Sequence, residues 1–283
     1  MVLTTAWDLL AYPRLCGLIA KRPSRLSQAM HNAGFQNLGL PFCYVSFDIT
    51  NTAAAFQALR DLGIRGLSLT IPHKETGLHL VDELGTEAKR IGAVNTIINS
   101  GKKLYGFNTD WIGICTALAE AKCHVPKSTV IISGAGGAAR AAVFALKHLG
   151  AGRIIVCNRT ESRAHELAAD FGVESCAFSA LRLDFAEGLG LVVNATPLGS
   201  SLAAGDDPLL QFLKTNAHLQ PTVFDMVTRE TPLLAYARKA GLNFIYGARM
   251  LLGQALEQFR LFTEQEPPKA AMDAALQAEL HNS

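Results

Sequence analysis

The sequence predicts an α/β protein of two domains, an N-terminal one with a mostly parallel sheet and a second one of the doubly wound type. Three observations carry that prediction. Strand-like and helix-like stretches alternate from residue 15 onward, as in βαβ units. The chain resets at Pro126-Lys127 and starts a second alternating series at "TVIIS" (129–133). That strand runs straight into a glycine-rich turn followed by a helical stretch.

In the first series, "LCGLIA" (15–20) and "FCYVSFDI" (42–49) read as strands, with a helix over 25–35 between them that is expected to stop near Gly34. A second helix, 52–63, has Ala55, Leu59 and Leu62 on one face and Gly63 at its end. In "GLSLTIPHKETG" (66–77), Leu67, Leu69 and Ile71 alternate with Ser68 and Thr70, the period of a pleated strand. Pro72 has no amide proton and ends the ladder. Lys74 then stands on a loop just beyond the strand, beside His73. Taken alone, it is either a solvated charge or a lysine held at a strand end for chemistry.

A helix over 108–122 opens at Thr109 and Asp110, which suit a helix start, and the domain junction falls near 108–128. Strands at 153–158, 191–196, 221–227 and 244–247 continue the second sheet. Two amphipathic helices, 250–265 and 267–280, close the chain.

Composition excludes several classes. With 49% hydrophobic and 18% charged residues and a formal charge of +2, the chain has the balance of a globular protein and no basic patch for nucleic acid. It contains no run of eighteen apolar residues, so no membrane span is expected. Asp8 interrupts the apolar core that a secretory signal needs, and Lys21 and Arg22 come too late, so a cytoplasmic location is expected. The six cysteines contain no C-x-x-C pair and read as small buried hydrophobes in a reducing compartment rather than disulfides. The eight histidines form no metal-binding spacing, and no metal is expected.

The turn Gly134-Ala135-Gly136-Gly137-Ala138-Ala139 fits G-x-G-x-x-G/A. Gly134 permits the tight turn, Gly136 lets a pyrophosphate approach the backbone, and Ala139 lets helix and strand pack closely. The helix start aims free amides at the phosphates. One strand later, where an NAD site carries Asp or Glu, the chain reads Asn158-Arg159-Thr160 with Arg163 one helical turn on. Two guanidiniums and two small polar groups suit a 2′-phosphate, so NADP(H) is the expected cofactor.

"SLTIPHK" (68–74), "GAVNT" (92–96), "GFNTD" (106–110), "GAGGAARA" (134–141), "NRT" (158–160), "NATPLG" (194–199) and "GARMLLGQALEQF" (247–259) resemble, in that order, the shikimate dehydrogenase family. The resemblance covers nearly the whole chain. It implies a substrate domain over 1–108, completed by C-terminal helices over 247–283, and a Rossmann-type NADP-binding domain over 109–246. It implies NADP-linked interconversion of shikimate and 3-dehydroshikimate, or action on quinate. Lys74 and Asp110 are then the catalytic pair, which agrees with the need to remove or deliver a hydroxyl proton. Ser27, Arg25, Thr70, Asn95 and Gln254 take the substrate-binding positions. Thr196 and Gly247 join Gly134, Ala135, Gly136, Gly137, Ala138, Asn158, Arg159, Thr160 and Arg163 around the cofactor.

The departures fall on the substrate side. The family's His-Ser-x-Ser-Pro signature is Ser24-Arg25-Leu26-Ser27-Gln28 here, Ser68 replaces an asparagine, and Thr228 stands where a tyrosine is common. These changes resemble the shikimate dehydrogenase-like branch. A quinate/shikimate dehydrogenase of catabolism and a non-catalytic NADP(H)-binding regulatory protein are the alternatives. A small-molecule substrate and a monomer or homodimer are expected.

Overall fold

The computed structural model describes residues 14–181, 188–200, 203, 205 and 207–282. Asp8, used above against a secretory signal, lies outside them.

The first sheet holds β1 (Arg14–Ala20), β2 (Phe42–Asp48), β3 (Gly66–Leu69), β4 (Glu83–Leu84), β5 (Thr96–Ser100) and β6 (Lys103–Phe107), in the order β2-β1-β3-β5-β6-β4. β1 pairs in parallel with both β2 and β3, while β5 is antiparallel to β3 and to β6. The helices α1 (Leu26–Asn37), α2 (Thr52–Asp61), α3 (His73–Gly77) and α4 (Thr86–Ile91) lie between these strands in the chain. α5 (Asp110–Glu120) then leads to the second sheet.

The second sheet comprises β7 (Thr129–Ser133), β8 (Arg153–Cys157), β9 (Glu174–Cys176), β10 (Leu189–Asn194), β11 (Thr222–Asp225) and β12 (Phe244–Tyr246). Its order is β12-β11-β10-β7-β8-β9, parallel throughout. This is the doubly wound dinucleotide-binding order, with its switch point between β7 and β10. α6 (Gly137–His148), α7 (Glu161–Phe171), α8 (Pro208–Asn216) and α9 (Pro232–Lys239) connect its strands. α10 (Gly247–Thr263) and α11 (Lys269–His281) return to the first sheet, where Phe259, Phe262 and Met272 share a core with Phe35, Tyr44 and Cys16.

Several expectations need correction. α1 runs through Gly34 to Asn37, because Gly34 is a close-approach site: a Cβ there would lie 2.7 Å from the Phe259 ring. β3 ends at Leu69, not Ile71, and Ile71 is 53% exposed. Lys74 sits on the short helix α3 rather than on a loop. Leu62 caps α2 and is 74% exposed, so it does not belong to the buried face of Ala55 and Leu59. The hairpin β5–β6 and the short strands β4 and β9 add to the expected set, and α10 begins at Gly247 rather than at 250. All six cysteines are free thiols. Among the described residues, no helix is long and apolar enough to cross a membrane.

Candidate active site

Three pieces of chain meet beyond the carboxyl end of β3. Leu69 N donates to Asn95 O and Thr70 N to Ile19 O, which ties the strand end to its neighbours. After the cis Ile71-Pro72 bond, α3 is anchored by the buried His73. Its Nδ1 lies 2.7 Å from Thr52 Oγ1 and its Nε2 2.9 Å from Ile49 O. Val94 N donates to Lys74 O at 3.0 Å, so the lysine backbone is held from both sides. Lys74 Nζ donates to Asp110 Oδ2 at 2.6 Å. The side chains are 14% and 4% exposed, so this ion pair is largely removed from water, unlike a solvated surface pair.

Asp110 is the first residue of α5, and Thr109 is the cap residue. Thr109 makes no side-chain cap bond, contrary to the sequence expectation. Its hydroxyl lies 3.0 Å from Asn95 Nδ2, while its amide donates to Asn95 Oδ1 at 2.8 Å. Asn95 Nδ2 also lies within hydrogen-bond reach of Asp110 Oδ1 at 2.9 Å and Gln254 Oε1 at 3.1 Å. The asparagine therefore fixes one carboxylate oxygen and leaves the other facing Lys74. Gln254 comes from α10, which crosses α5 backbone to backbone. A Cβ on Gly113 would lie 2.4 Å from Met250 O, and one on Gly253 2.9 Å from Gly113 Cα. Two glycines thus set the distance between the helices that carry Asp110 and Gln254.

The other substrate-side residues are not joined to this network. Ser27 is buried in the first turn of α1 and Arg25 is the exposed cap residue of that helix. No hydrogen bond or ion pair among the described residues links either one, or the Thr70 hydroxyl, to Lys74 or Asp110. Gln28, in place of the expected proline, accepts from Ser46 N at 3.2 Å and ties α1 to β2.

The glycine turn lies against the same centre. Gly134 has φ +119°, a conformation reserved for glycine, and its amide donates to Cys157 O at 2.8 Å. A Cβ on Gly136 would meet nothing closer than Glu75 Oε1 at 3.8 Å, which leaves an open cradle above the turn. A Cβ on Gly137 would lie 3.2 Å from Lys74 Cβ, so the turn and the lysine are neighbours. Helix α6 starts here with no side-chain cap and no acidic residue in its first turn. Its amides are free for an anion, as a pyrophosphate requires. Ala135 is buried beneath the turn, and Ala138 is half-buried on the first turn of α6.

On the adjoining strand end, Asn158 Nδ2 donates to Thr160 O at 2.9 Å and Thr160 caps α7. Arg159 is exposed and makes no hydrogen bond or ion pair with the described residues. Arg163 instead reaches across to Glu75, with both carboxylate oxygens 3.1 Å from its Nη2. Of the two guanidiniums expected at a 2′-phosphate, one is therefore engaged by the residue next to Lys74. Thr196 packs over Gly134, and its hydroxyl donates to Asn194 Oδ1 at 2.6 Å. Gly247 is required by packing, since a Cβ there would lie 2.1 Å from Met226 O. The open cradle, the free helix start and the unpartnered Arg159 fit a phosphorylated dinucleotide.

Known proteins of similar sequence and fold belong to one family. Residues 22–97 match the profile described as "Shikimate dehydrogenase substrate binding domain", 117–197 "Shikimate / quinate 5-dehydrogenase", and 247–277 "Shikimate 5'-dehydrogenase C-terminal domain". The shikimate dehydrogenase (NADP(+)) of Methanopyrus kandleri is 41% identical over 266 residues, covering 89% of this chain and 90% of its own. The chain belongs to the shikimate dehydrogenase family. The structure of shikimate 5-dehydrogenase from Thermus thermophilus in complex with NADP(H) and shikimate superposes with a TM-score of 0.79 at 34% identity. It covers 94% of this chain and 99% of that one. The quinate dehydrogenase of Corynebacterium glutamicum in complex with NAD gives a TM-score of 0.81 at 30% identity, covering 95% and 100%.

This family member carries buried polar groups, Gln258 and Asp225, that its sequence did not single out. Gln258 is buried on α10, one turn after Gln254; its Nε2 donates to Thr96 Oγ1 at 3.0 Å and its Oε1 accepts from Ser68 Oγ at 3.0 Å. Ser68, at the family's asparagine position, also accepts from Tyr44 Oη at 2.7 Å. Its hydroxyl is thus committed to a buried chain of bonds. Asn194 and Asp225 brace the cofactor side: Asn194 Nδ2 donates to Asp225 Oδ1 at 2.9 Å, and Thr231 Oγ1 to Asp225 Oδ2 at 2.7 Å. Burial pushes the Asp225 carboxyl up to about 6. The i, i+4 spacing of Gln254 and Gln258 on a helix otherwise rich in apolar residues is the signal that could have found Gln258.

Proposed function

We propose that this chain is an NADP-dependent oxidoreductase acting on a CH–OH group, interconverting shikimate and 3-dehydroshikimate or a related hydroxylated cyclohexene or cyclohexane carboxylate. The observation that carries the reading is the Lys74–Asp110 pair, 2.6 Å apart, beside the glycine turn through Gly137. Gly134, Ala135, Gly136, Gly137 and Ala138 would hold the pyrophosphate, and Asn158, Arg159, Thr160 and Arg163 the 2′-phosphate, with Thr196 and Gly247 flanking the ring. When bound, NADP(H) supplies the hydride donor or acceptor.

The chain's own task is the proton. Oxidation of an alcohol releases the hydroxyl proton, and reduction requires one at the same oxygen. Lys74 Nζ can present its protons to that oxygen, and Asp110 Oδ2 stands ready to exchange with it. Asn95 keeps Asp110 in place through Oδ1, and with Gln254 and Thr70 offers hydrogen bonds to ring hydroxyls. A site built this way rejects analogues that lack those hydroxyls. Ser27 and Arg25 are assigned to the substrate carboxylate, with Arg25 free to approach it from the helix start. The domain limits are assigned as 1–108 with 247–283, and 109–246. The small-molecule enzyme is further proposed to act in the cytoplasm as a monomer or homodimer.

Steady-state kinetics with shikimate and quinate against NADP and NAD test the reading. Turnover of shikimate with NADP, exceeding that with NAD, is expected. Quinate turnover well above shikimate turnover would instead support the catabolic quinate/shikimate dehydrogenase. NADPH binding without turnover of either would identify a regulatory protein.

A further inference from the structure

The end of the second sheet holds a cysteine pair that the reaction does not use. Cys157 is the last residue of β8 and Cys176 the last of the edge strand β9, and the two face each other in register on parallel neighbouring strands. Their sulfurs are 3.3 Å apart. Adjacent strands lie about 4.8 Å apart, within the range of Cα separations that a disulfide spans. Closing the bond therefore asks for side-chain rotation and no rearrangement of the sheet.

We infer that Cys157 and Cys176 form an oxidisable dithiol, a modification site that a small disulfide oxidant closes to an intrachain disulfide beneath the nucleotide-binding edge. Cys176 is the entry point, since it is half-buried whereas Cys157 is fully buried. The neighbouring Cys157 thiol holds Cys176 below the usual thiol range, while Cys157 itself is pushed up by Cys176 and by burial. In contrast, burial raises the thiols of Cys16, Cys115 and Cys123. The lower-lying thiol supplies the nucleophilic thiolate. Cys176 thiolate attacks one sulfur of the oxidant, forming a mixed disulfide and expelling one thiolate, which takes a proton. Cys157, deprotonated, then attacks Cys176 Sγ and expels the second thiol. Two protein thiols are oxidised, and one disulfide is reduced to two thiols.

The position gives the modification a consequence, which rests on the cofactor reading above. Cys157 O accepts from Gly134 N at 2.8 Å, and Asn158 follows Cys157 directly. A change in the Cys157 side chain is therefore transmitted to both ends of the nucleotide edge.

The test incubates the full chain with oxidised glutathione, then alkylates under denaturing conditions with iodoacetamide and maps the peptides. Cys16, fully buried and so shielded from the oxidant until the chain is denatured, serves as an internal control for alkylation. The expected product is a Cys157–Cys176 linked peptide, two hydrogens lighter and restored by dithiothreitol. Cys157→Ser should instead accumulate a glutathione adduct at Cys176, and Cys176→Ser should leave Cys157 reduced. The second variant, at the half-buried edge position, keeps the test open if the first does not fold. Recovery of both cysteines in alkylated form after oxidation overturns the site. NADPH binding, followed by fluorescence, should weaken several-fold in the linked form; unchanged binding in a linked sample overturns the coupling to the cofactor edge. Neither readout needs turnover, so an inactive enzyme leaves both intact.

Discussion

Lys74 and Asp110 meet at 2.6 Å although they belong to different helices, α3 beyond β3 of the first sheet and α5 at the entry to the second. Asn95 selects which carboxylate oxygen the lysine sees. The helix crossing of α5 on α10 selects where the carboxylate stands. That division of labour makes separate variants informative.

Gly113 is where the crossing is tightest. Gly113→Ala puts a Cβ 2.4 Å from Met250 O, backbone that cannot rotate away. Overpacking of this kind costs about 1–3 kcal/mol, and the separation of α5 from α10 should also lower kcat by moving Asp110 from Gln254. Urea denaturation and steady-state kinetics on the same variant check this. Unchanged stability and rate would show that the helices can part without consequence.

Cofactor choice should divide unequally between the two arginines. Arg159 has no partner among the described residues and can turn to a 2′-phosphate, whereas Arg163 is held by Glu75. Charged hydrogen bonds contribute about 1.5–3 kcal/mol, so Arg159→Ala should raise KM for NADP by about 10- to 100-fold and leave KM for NAD nearly unchanged. Arg163→Ala should raise it less. Equal effects of both variants, or a matching rise for NAD, would contradict the assignment.

The fold was legible where local chemistry and tertiary context agree. The glycine turn and its strand announce themselves because backbone conformation demands those residues, as the φ of +119° at Gly134 shows. Lys74 and Asp110 were singled out through the family motifs that hold them, because Lys74 taken alone reads equally well as a solvated charge. The hairpin over 96–107 was not, because its strands are short and "SGKK" at its turn reads as any polar loop. Gly34 misled for a related reason. A glycine in a helix reads as a stop, and only the Phe259 ring that it accommodates explains its presence. The bond between Gln258 and Ser68 was hidden because it joins α10 to β3 across 190 positions of the chain. The Glu75–Arg163 pair is the same case, spanning 88 positions.

His31 should make the fold sensitive to acid. It is fully buried, stacked on Tyr44 with centroids 4.4 Å apart, and neither ring nitrogen has a hydrogen-bond partner among the described residues. Burial lowers its pKa from 6.5 to about 3. The folded state therefore binds this proton less readily than the unfolded chain does, so its contribution is present above 6.5 and is lost as pH falls from there toward 3. Between pH 7 and pH 5 the loss from this group amounts to about 2 kcal/mol. Chemical denaturation at the two pH values should show that part of the slope vanish in His31→Phe, whatever the variant's absolute stability. A slope identical to that of the unmodified chain would mean that His31 is not the acid-sensitive group.

The most direct test of the central claim removes the lysine while keeping the cofactor site. Lys74→Ala retains the Cβ that packs on Gly137, so the glycine turn should stay in place. Loss of a general acid–base group lowers turnover by about 10²- to 10⁴-fold. With shikimate and NADP, kcat should fall by that amount while NADPH binding, followed by fluorescence titration, remains nearly unchanged. Normal turnover in Lys74→Ala would contradict the proton-transfer role of the Lys74–Asp110 pair.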